Sequence, residues 1–185
     1  MNETLPKTWV EIKISELTKV ISGGTPKTKI DEYFGGSIAW LTPADLSKYK
    51  NKYIAKGRRN ITKLGLDKSS AKLLPKDSVL FSSRAPIGYT VIASNPICTN
   101  QGFKNLIPNE FYVPSYAYYY LKHSKGYIES QASGTTFREI SGKKLGEVPF
   151  PLPPLAEQQR IVAKLDSLFG HLDLSLIHIS EPTRR

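Results

Sequence analysis

The sequence predicts an α+β fold: a mixed, β-rich globular domain over residues 1–150 that passes into the start of a long helix of the coiled-coil type. Short apolar runs recur between glycine, proline and asparagine punctuation, the pattern of strands joined by turns. One internal stretch repeats tyrosines at three- and four-residue steps, the period of a helix. After Pro154, Ile161, Leu165, Leu168 and Leu172 step by four, three and four residues, a narrow stripe suited to packing against another helix.

Taken in order, Val10, Ile12 and Ile14 alternate as in a strand, and residues 15–20 suit a short helical turn. Ser22-Gly23-Gly24-Thr25-Pro26 breaks any element, and residues 27–36 read as a loop. Residues 37–42 form an apolar strand stopped by Pro43. Leu66, Ser70, Leu73 and Leu74 lie at roughly helical spacing. Residues 79–83 and 88–93 read as buried strands joined through Arg84-Ala85-Pro86-Ile87, and Ile97-Cys98-Thr99 with Gly102-Phe103 extends the β-rich core. Residues 115–131 are the predicted internal helix, capped by Ser115. A strand over 146–150 leads to Pro151-Leu152-Pro153-Pro154, after which proline and Glu157 suit the first turn of the final helix. Trp9, Trp40, Phe81, Phe103 and Phe150 are expected in the core.

Residues 174–185 stand apart. Leu174-Ser175-Leu176-Ile177-His178-Ile179 places apolar side chains on no consistent face, and Pro182 would break a helix. The string resembles a sequencing adapter translated in frame, so the native chain is expected to continue beyond Asp173 with other sequence, the spacer helix being represented by 151–173 alone.

The net charge is +10, and losing Glu181, Arg184 and Arg185 would lower it by only one. A basic chain is matched to an anionic partner, nucleic acid above all. The distribution sharpens this: Lys48, Lys50, Lys52, Lys56, Arg58, Arg59, Lys63, Lys68 and Lys72 face Asp67 alone, with Tyr49 and Tyr53 interleaved. Such a mixture offers cations for counterion release and short donors to fix register on a phosphate backbone. The single cysteine, Cys98, excludes an internal disulfide and fits a reducing cytoplasm, and no apolar run approaches a membrane span.

Catalytic signatures do not emerge. No glycine-rich loop leads into Lys-Ser or Lys-Thr, and Gly23-Gly24 and Gly35-Gly36 are isolated pairs. Cys98, His123, His171 and His178 lack zinc-ligand spacing. Ser94-Asn95-Pro96-Ile97 lacks the second proline and the aromatic of an amino-methyltransferase motif, and Asp77, Glu129, Glu139 and Glu147 are scattered. Binding is favoured over catalysis, with no cofactor or metal expected on this chain.

The order of several motifs carries a family resemblance. Leu5-Pro6-Lys7-Thr8-Trp9, Ser22-Gly23-Gly24-Thr25-Pro26 and Trp40-Leu41-Thr42-Pro43-Ala44-Asp45-Leu46 come first. Ile61-Thr62-Lys63-Leu64-Gly65-Leu66, Leu74-Pro75-Lys76-Asp77-Ser78-Val79-Leu80, Ser83-Arg84-Ala85-Pro86-Ile87-Gly88 and Thr99-Asn100-Gln101-Gly102-Phe103 follow. Gly134-Thr135-Thr136-Phe137 and the run Pro149-Phe150-Pro151-Leu152-Pro153-Pro154-Leu155-Ala156-Glu157-Gln158-Gln159-Arg160-Ile161-Val162 close the series. Together they resemble one target-recognition domain of a type I restriction-modification specificity subunit. The resemblance implies a subunit that normally carries two such domains, each reading half of a split DNA site. Long helices packed as an antiparallel pair set the gap and dock methyltransferase subunits, and a motor-nuclease subunit joins for restriction. S-adenosylmethionine, ATP and magnesium are then expected on partner subunits, and a second half-specificity subunit is a further expected partner.

Side-chain chemistry nominates the contacts. Arg58, Arg59, Arg84, Asn100 and Gln101 are suited to base edges, and Asp45 to accepting from a cytosine amine. Lys27, Lys48, Lys50, Lys52, Lys56, Lys63 and Lys104 are suited to phosphates, with Thr135, Thr136 and Arg138 adding contacts from a glycine-containing turn. Ile161, Leu165, Leu168 and Leu172 are expected to face a partner helix. Two other readings stay open: a recognition domain detached from a fused methyltransferase-nuclease, against which a start at Met1 argues, and a module that binds an acidic protein.

Overall fold

The computed structural model describes residues 5–134 and 138–180, with 173–180 described by their backbone alone. Thr135, Thr136, Phe137 and Pro182 lie outside the described residues.

The first strand is β1 (Val10–Lys13), but Ile14 does not belong to it, and of its apolar residues Val10 is exposed and Ile12 half-buried. Ile14 opens a one-turn helix, α1 (Ile14–Leu17), because Ile14 and Leu17 at i and i+3 are both buried. Glu16 accepts a hydrogen bond from the Lys13 N–H at 2.7 Å and so ties the helix start. The helix ends at Leu17, short of the expected 15–20 turn, and Val20 instead begins β2 (Val20–Ser22).

Next come β3 (Phe34–Leu41), β4 (Tyr53–Ile54) and β5 (Arg59–Ile61). The expected 27–36 loop includes a 3-10 turn at Asp31–Tyr33 and the first residues of β3. Helix α2 (Lys63–Asp67) is capped by Thr62, whose hydroxyl accepts from the Gly65 N–H at 3.0 Å. It stops well short of Leu73, which is exposed, while Leu74 bridges to Ile97. The spacing of Leu66, Ser70, Leu73 and Leu74 is thus not a helix.

Strands β6 (Val79–Ser82), β7 (Thr90–Ala93), β8 (Cys98–Thr99) and β9 (Phe103–Leu106) follow, every residue buried. Among the described residues a five-stranded sheet runs β2-β9-β6-β7-β4, antiparallel except for the parallel β4–β7 pair. Its strands β6 and β7 are largely apolar runs because both faces are covered, whereas β9 carries the buried polar Lys104 and Asn105. Val79, Phe81, Ile92 and Leu106 pack on one side with the helices. Leu80, Val91, Ala93 and Phe103 pack on the other with Leu41, Leu46 and Ile97. Burial on two faces removes apolar area from water twice along each strand, so no polar residue is needed at alternate positions. A three-stranded sheet, β5-β3-β8, carries a third cluster with Phe34, Trp40, Ile61 and Cys98. Burial pushes the Cys98 thiol up to about 11.

The expected 115–131 helix is two helices, α3 (Pro114–His123) and α4 (Lys125–Ser130), meeting at Ser124. Val113 occupies the cap and Pro114 the first turn, so Ser115 is not the cap. Ser115 is buried, its hydroxyl 3.2 Å from the Tyr53 hydroxyl. Tyr116 and Tyr120 pack on the core and their hydroxyls reach backbone carbonyls, Tyr116 donating to Pro151 at 2.8 Å and Tyr120 to Pro149. Tyr119 instead turns to α6, and Tyr127 is exposed.

The 146–150 strand is displaced. Residues Gly142–Gly146 form α5, with Ser141 accepting from the Lys144 N–H at 3.2 Å, and the strand is β10 (Pro149–Leu152). It pairs antiparallel with β1 from Val10↔Leu152 to Lys13↔Pro149. Two prolines fit there because a two-stranded ribbon leaves one side of each strand unpaired.

Helix α6 (Leu155–Ser180) starts where expected, and its backbone stays helical past Asp173. Gln158 anchors it. Fully buried, its carbonyl accepts from the Val113 N–H at 2.8 Å, and its amide donates to Pro153 at 2.8 Å and Phe111 at 3.2 Å. Trp9 is half-buried, with its indole N–H buried and lacking a hydrogen-bond partner among the described residues.

Candidate nucleic-acid interface

The glycine pair of Ser22-Gly23-Gly24 follows from close approach. A Cβ on Gly23 would lie 2.0 Å from the Asn100 carbonyl oxygen, and one on Gly24 would lie 2.3 Å from the Ala71 nitrogen. Trp40 donates from Nε1 to the Gly24 carbonyl at 3.0 Å. This turn is thereby pressed against the Asn100-Gln101-Gly102 turn, where Thr25 donates to the Gln101 side-chain oxygen. Asn100 faces inward: its Oδ1 accepts from the Gly102 N–H at 2.9 Å, shaping the turn that presents exposed Gln101.

A second turn adjoins this one. The Asn100 N–H donates to Leu41 at 2.9 Å, and a Cβ on Gly102 would lie 3.0 Å from Pro43. Pro43 opens a 3-10 turn (Pro43–Leu46) in which Asp45 accepts from the Thr42 N–H at 2.7 Å and hydroxyl at 2.8 Å. The other Asp45 oxygen accepts from Arg58 Nε at 2.8 Å. Burial alone would raise the Asp45 carboxyl, but hydrogen bonds from Arg58 and Thr42 outweigh it and hold the group below the usual carboxylate range. Asp45 was expected to accept from a base; its side chain is 8% exposed and its oxygens are engaged in holding Arg58. Arg58 is 74% exposed at the side chain, and Arg59 lies with its guanidinium 3.6 Å from the centroid of Phe34.

The third turn carries Arg84. Ser83 donates from its N–H to Gly102 at 2.7 Å and accepts from the Ile140 N–H at 3.1 Å. Arg84 meets Glu139 at 3.5 Å, and Lys104 reaches the other Glu139 oxygen at 3.2 Å. Lys104, expected on a phosphate, is 6% exposed and has no surface to offer one. Arg138 is exposed and donates to the Glu129 carbonyl at 2.7 Å.

Of the lysines, Lys27, Lys48, Lys50 and Lys56 are exposed, and exposed Lys63 pairs with Asp67. Lys52 points elsewhere. Its ammonium pairs with Asp166 of α6 at 2.6 Å and lies 5.2 Å from the Tyr119 ring centroid. Tyr119 also stacks on Phe169, ring centroids 5.7 Å apart. These residues line a groove of about 880 Å³ between α3 and α6, with Trp9 and Leu165 at its walls. The seam of α6 therefore divides. Ile161 packs on the domain's own core, Leu165 is half-buried, and Leu168 and Leu172 are exposed.

The structure thus brings Arg58, Arg84 and Gln101 onto adjoining turns and assigns Asp45 and Lys104 to support. It places Arg59 at the start of β5 and engages the Asn100 side-chain oxygen within its own turn. Sequence reasoning missed Glu139, Thr25 and Ser83 in this arrangement. Glu139 lies 35 and 55 positions from the two cations it joins, so no local signal marks it. Among the described residues no group of His, Cys, Asp and Glu could hold a metal, and no helix is long and apolar enough to cross a membrane.

Comparison with known proteins agrees with the fold and the motifs. A family model described as type I restriction modification DNA specificity domain matches residues 6–179. The chain is 45% identical over 163 residues to the type I restriction enzyme MjaIX specificity subunit of Methanocaldococcus jannaschii, covering 87% of this chain and 38% of that protein. It is 32% identical over 160 residues to the EcoR124I/EcoR124II specificity subunit of Escherichia coli, covering 83% and 39%. The crystal structure of the HsdS subunit from Thermoanaerobacter tengcongensis aligns with a TM-score of 0.77 at 26% identity, over 97% of this chain and 42% of that one. The chain spans about two fifths of the length of these relatives. On the residues matched, the fold shared and the identity, this chain belongs to the family of type I restriction modification DNA specificity domains.

Proposed function

We propose that this chain is a non-catalytic reader of double-stranded DNA, one target-recognition domain of a type I specificity subunit. It directs methyltransferase subunits to one half of a split site, and a motor-nuclease subunit joins the assembly for restriction. S-adenosylmethionine, ATP and magnesium act on those partners, in the cytoplasm, and this chain binds none of them. A second recognition domain, on the same subunit or on a second half-specificity subunit, reads the other half-site.

The observation that carries this reading is the set of adjoining turns with Arg58, Arg84 and Gln101, each backed by a specific internal partner. Side chains that read base edges need fixed origins and hydrogen-bonding groups in pairs or forks. The exposed lysines Lys27, Lys48, Lys50, Lys56 and Lys63 supply the sequence-independent attraction, to which exposed Arg59 and Arg138 add.

The test is selection of the full chain against a pool of short randomised duplexes. A short preferred sequence is expected, bound about five- to a hundredfold more tightly than its scrambled version for each bidentate base contact. Affinity should fall linearly in log–log plots against salt. Retention of every duplex with equal affinity would refute sequence reading, as would sequence-indifferent methylation by methyltransferase subunits supplied with an intact subunit carrying this domain.

A further inference from the structure

Lys104 is a charged residue where the sheet would accept an apolar one. It lies in β9 between β2 and β6, 6% exposed, opposite Ser22 and Phe81. Its ammonium reaches Glu139 at 3.2 Å and the Gln101 carbonyl at 3.3 Å. Glu139 also accepts from the Ser83 hydroxyl at 3.3 Å and faces Arg84 at 3.5 Å. Gln101 in turn receives the Thr25 hydroxyl on its side-chain oxygen. The turns that carry Thr25, Arg84 and Gln101 therefore converge on one ion pair.

Such a pair adds little stability. Desolvating both charges offsets much of their attraction, and an apolar residue of similar volume would often serve as well. What an apolar residue would not supply is direction. The Lys104 ammonium holds both the Gln101 carbonyl and the Glu139 carboxylate. Through these it constrains where the Gln101 amide and the Arg84 guanidinium start. Glu139 occupies one nitrogen of Arg84, whose other N–H donors have no partner among the described residues.

We infer that Lys104 and Glu139 are positioning residues that set Arg84 and Gln101 as one reading unit without touching DNA themselves. This rests on the DNA-reading assignment above. It also separates Lys104 from the surface lysines, because a phosphate contact and a positioning role leave different traces. Losing a phosphate contact lowers the salt slope by about 0.9 and weakens all sequences alike. Losing a positioning residue leaves the slope and erodes discrimination.

The experiment uses the full chain and the duplex selected from the randomised pool, with a scrambled duplex as reference. Lys104→Met, Glu139→Gln, their double variant, Arg84→Ala and Arg84→Ala with Glu139→Gln are compared with wild type across a range of salt. Circular dichroism and thermal melting verify folding, and the charge-removing double carries the test if either single variant unfolds. Each positioning variant is expected to keep the wild-type slope and to lose about tenfold in preference for the selected duplex, the scale of one base contact. Added to Arg84→Ala, Glu139→Gln should cost less than it does alone, since the Arg84 part of its effect is already lost. Full additivity would overturn the link between Glu139 and Arg84. Unchanged preference overturns the inference, and so does a Lys104→Met slope reduced by about 0.9 with preference intact. A wild-type chain that selects no sequence overturns the DNA-reading assignment and this inference together. A wild-type preference that the variants share overturns the inference alone.

Discussion

Lys52 and Asp166 meet at 2.6 Å although 114 positions separate them, and the contact joins the basic segment of the domain to α6. Tyr119 donates to the same Asp166 carboxylate from α3. Burial alone would raise the Asp166 carboxyl, but hydrogen bonds from Lys52 and Tyr119, with the lysine charge, hold it below the usual range. With the buried Gln158, the packing of Ile161 and the Tyr119–Phe169 stack, this triad sets the departure of the helix from the domain.

Asp166→Ala should therefore loosen α6 more than it destabilises the fold. The aspartate is 44% exposed, so the global loss is expected at about 1 kcal/mol or less. Amide hydrogen exchange in residues 165–172 should accelerate while the β6 and β9 strands keep their protection. Equal protection of α6 in both proteins would show that the triad does not hold the helix.

Asp45 gives a pH signature. Its folded carboxyl is held low, so the stability it contributes is fully present above the ordinary carboxylate value of about 4 and is lost as pH falls through the folded value. Asp45→Asn keeps an acceptor but loses the charge facing Arg58. A loss of about 1–2 kcal/mol is expected near neutrality, shrinking toward zero in acid. Urea denaturation of both proteins at neutral and strongly acidic pH measures the difference. A gap independent of pH would contradict the charge-assisted account.

Two glycine substitutions should diverge in sign. Gly23→Ala forces a methyl against the Asn100 carbonyl and should cost at least about 1–3 kcal/mol, with the Gln101 turn displaced. Gly126→Ala, in α4 with nothing within 4 Å of the added carbon, should stabilise by about 0.5–1 kcal/mol. Melting temperatures that move together would argue against the close approach at Gly23.

Phe150→Ala should be among the costliest single truncations, at about 3–5 kcal/mol. The ring is fully buried and packs edge-on against Tyr116 and Tyr120, joining β10 to α3. Loss of cooperative melting, or a midpoint lowered by several degrees or more, is the expected readout. A wild-type melting curve would place the weight of the core elsewhere.

Local signals read this sequence well where the physics is local. The runs at 79–83 and 88–93 become β6 and β7 because burial on both faces needs only a short apolar string. Pro154 and Glu157 locate the start of α6 because helix starts depend on a few residues. Misreadings came where a distant partner decides. Lys52 looks like any surface lysine until Asp166 folds over it, and Lys104 until Glu139 reaches it. Ser115 is a fine cap by type, yet Val113-Pro114 takes the position and leaves the serine for Tyr53. Arg58, Arg84 and Gln101 are legible as polar turn residues, whereas the carboxylates that hold the arginines are not.

The ribbon of β1 and β10 has a consequence for how such a domain can be carried. Val10 lies beside Leu152, so the polypeptide enters and leaves the globule at one corner. A unit hinged in this way can be spliced into a longer chain, or exchanged for a different one, without stretching either connection. Its reading surface can then change wholesale while the seam to α6 stays in register, which makes the domain an interchangeable cartridge on a fixed mount.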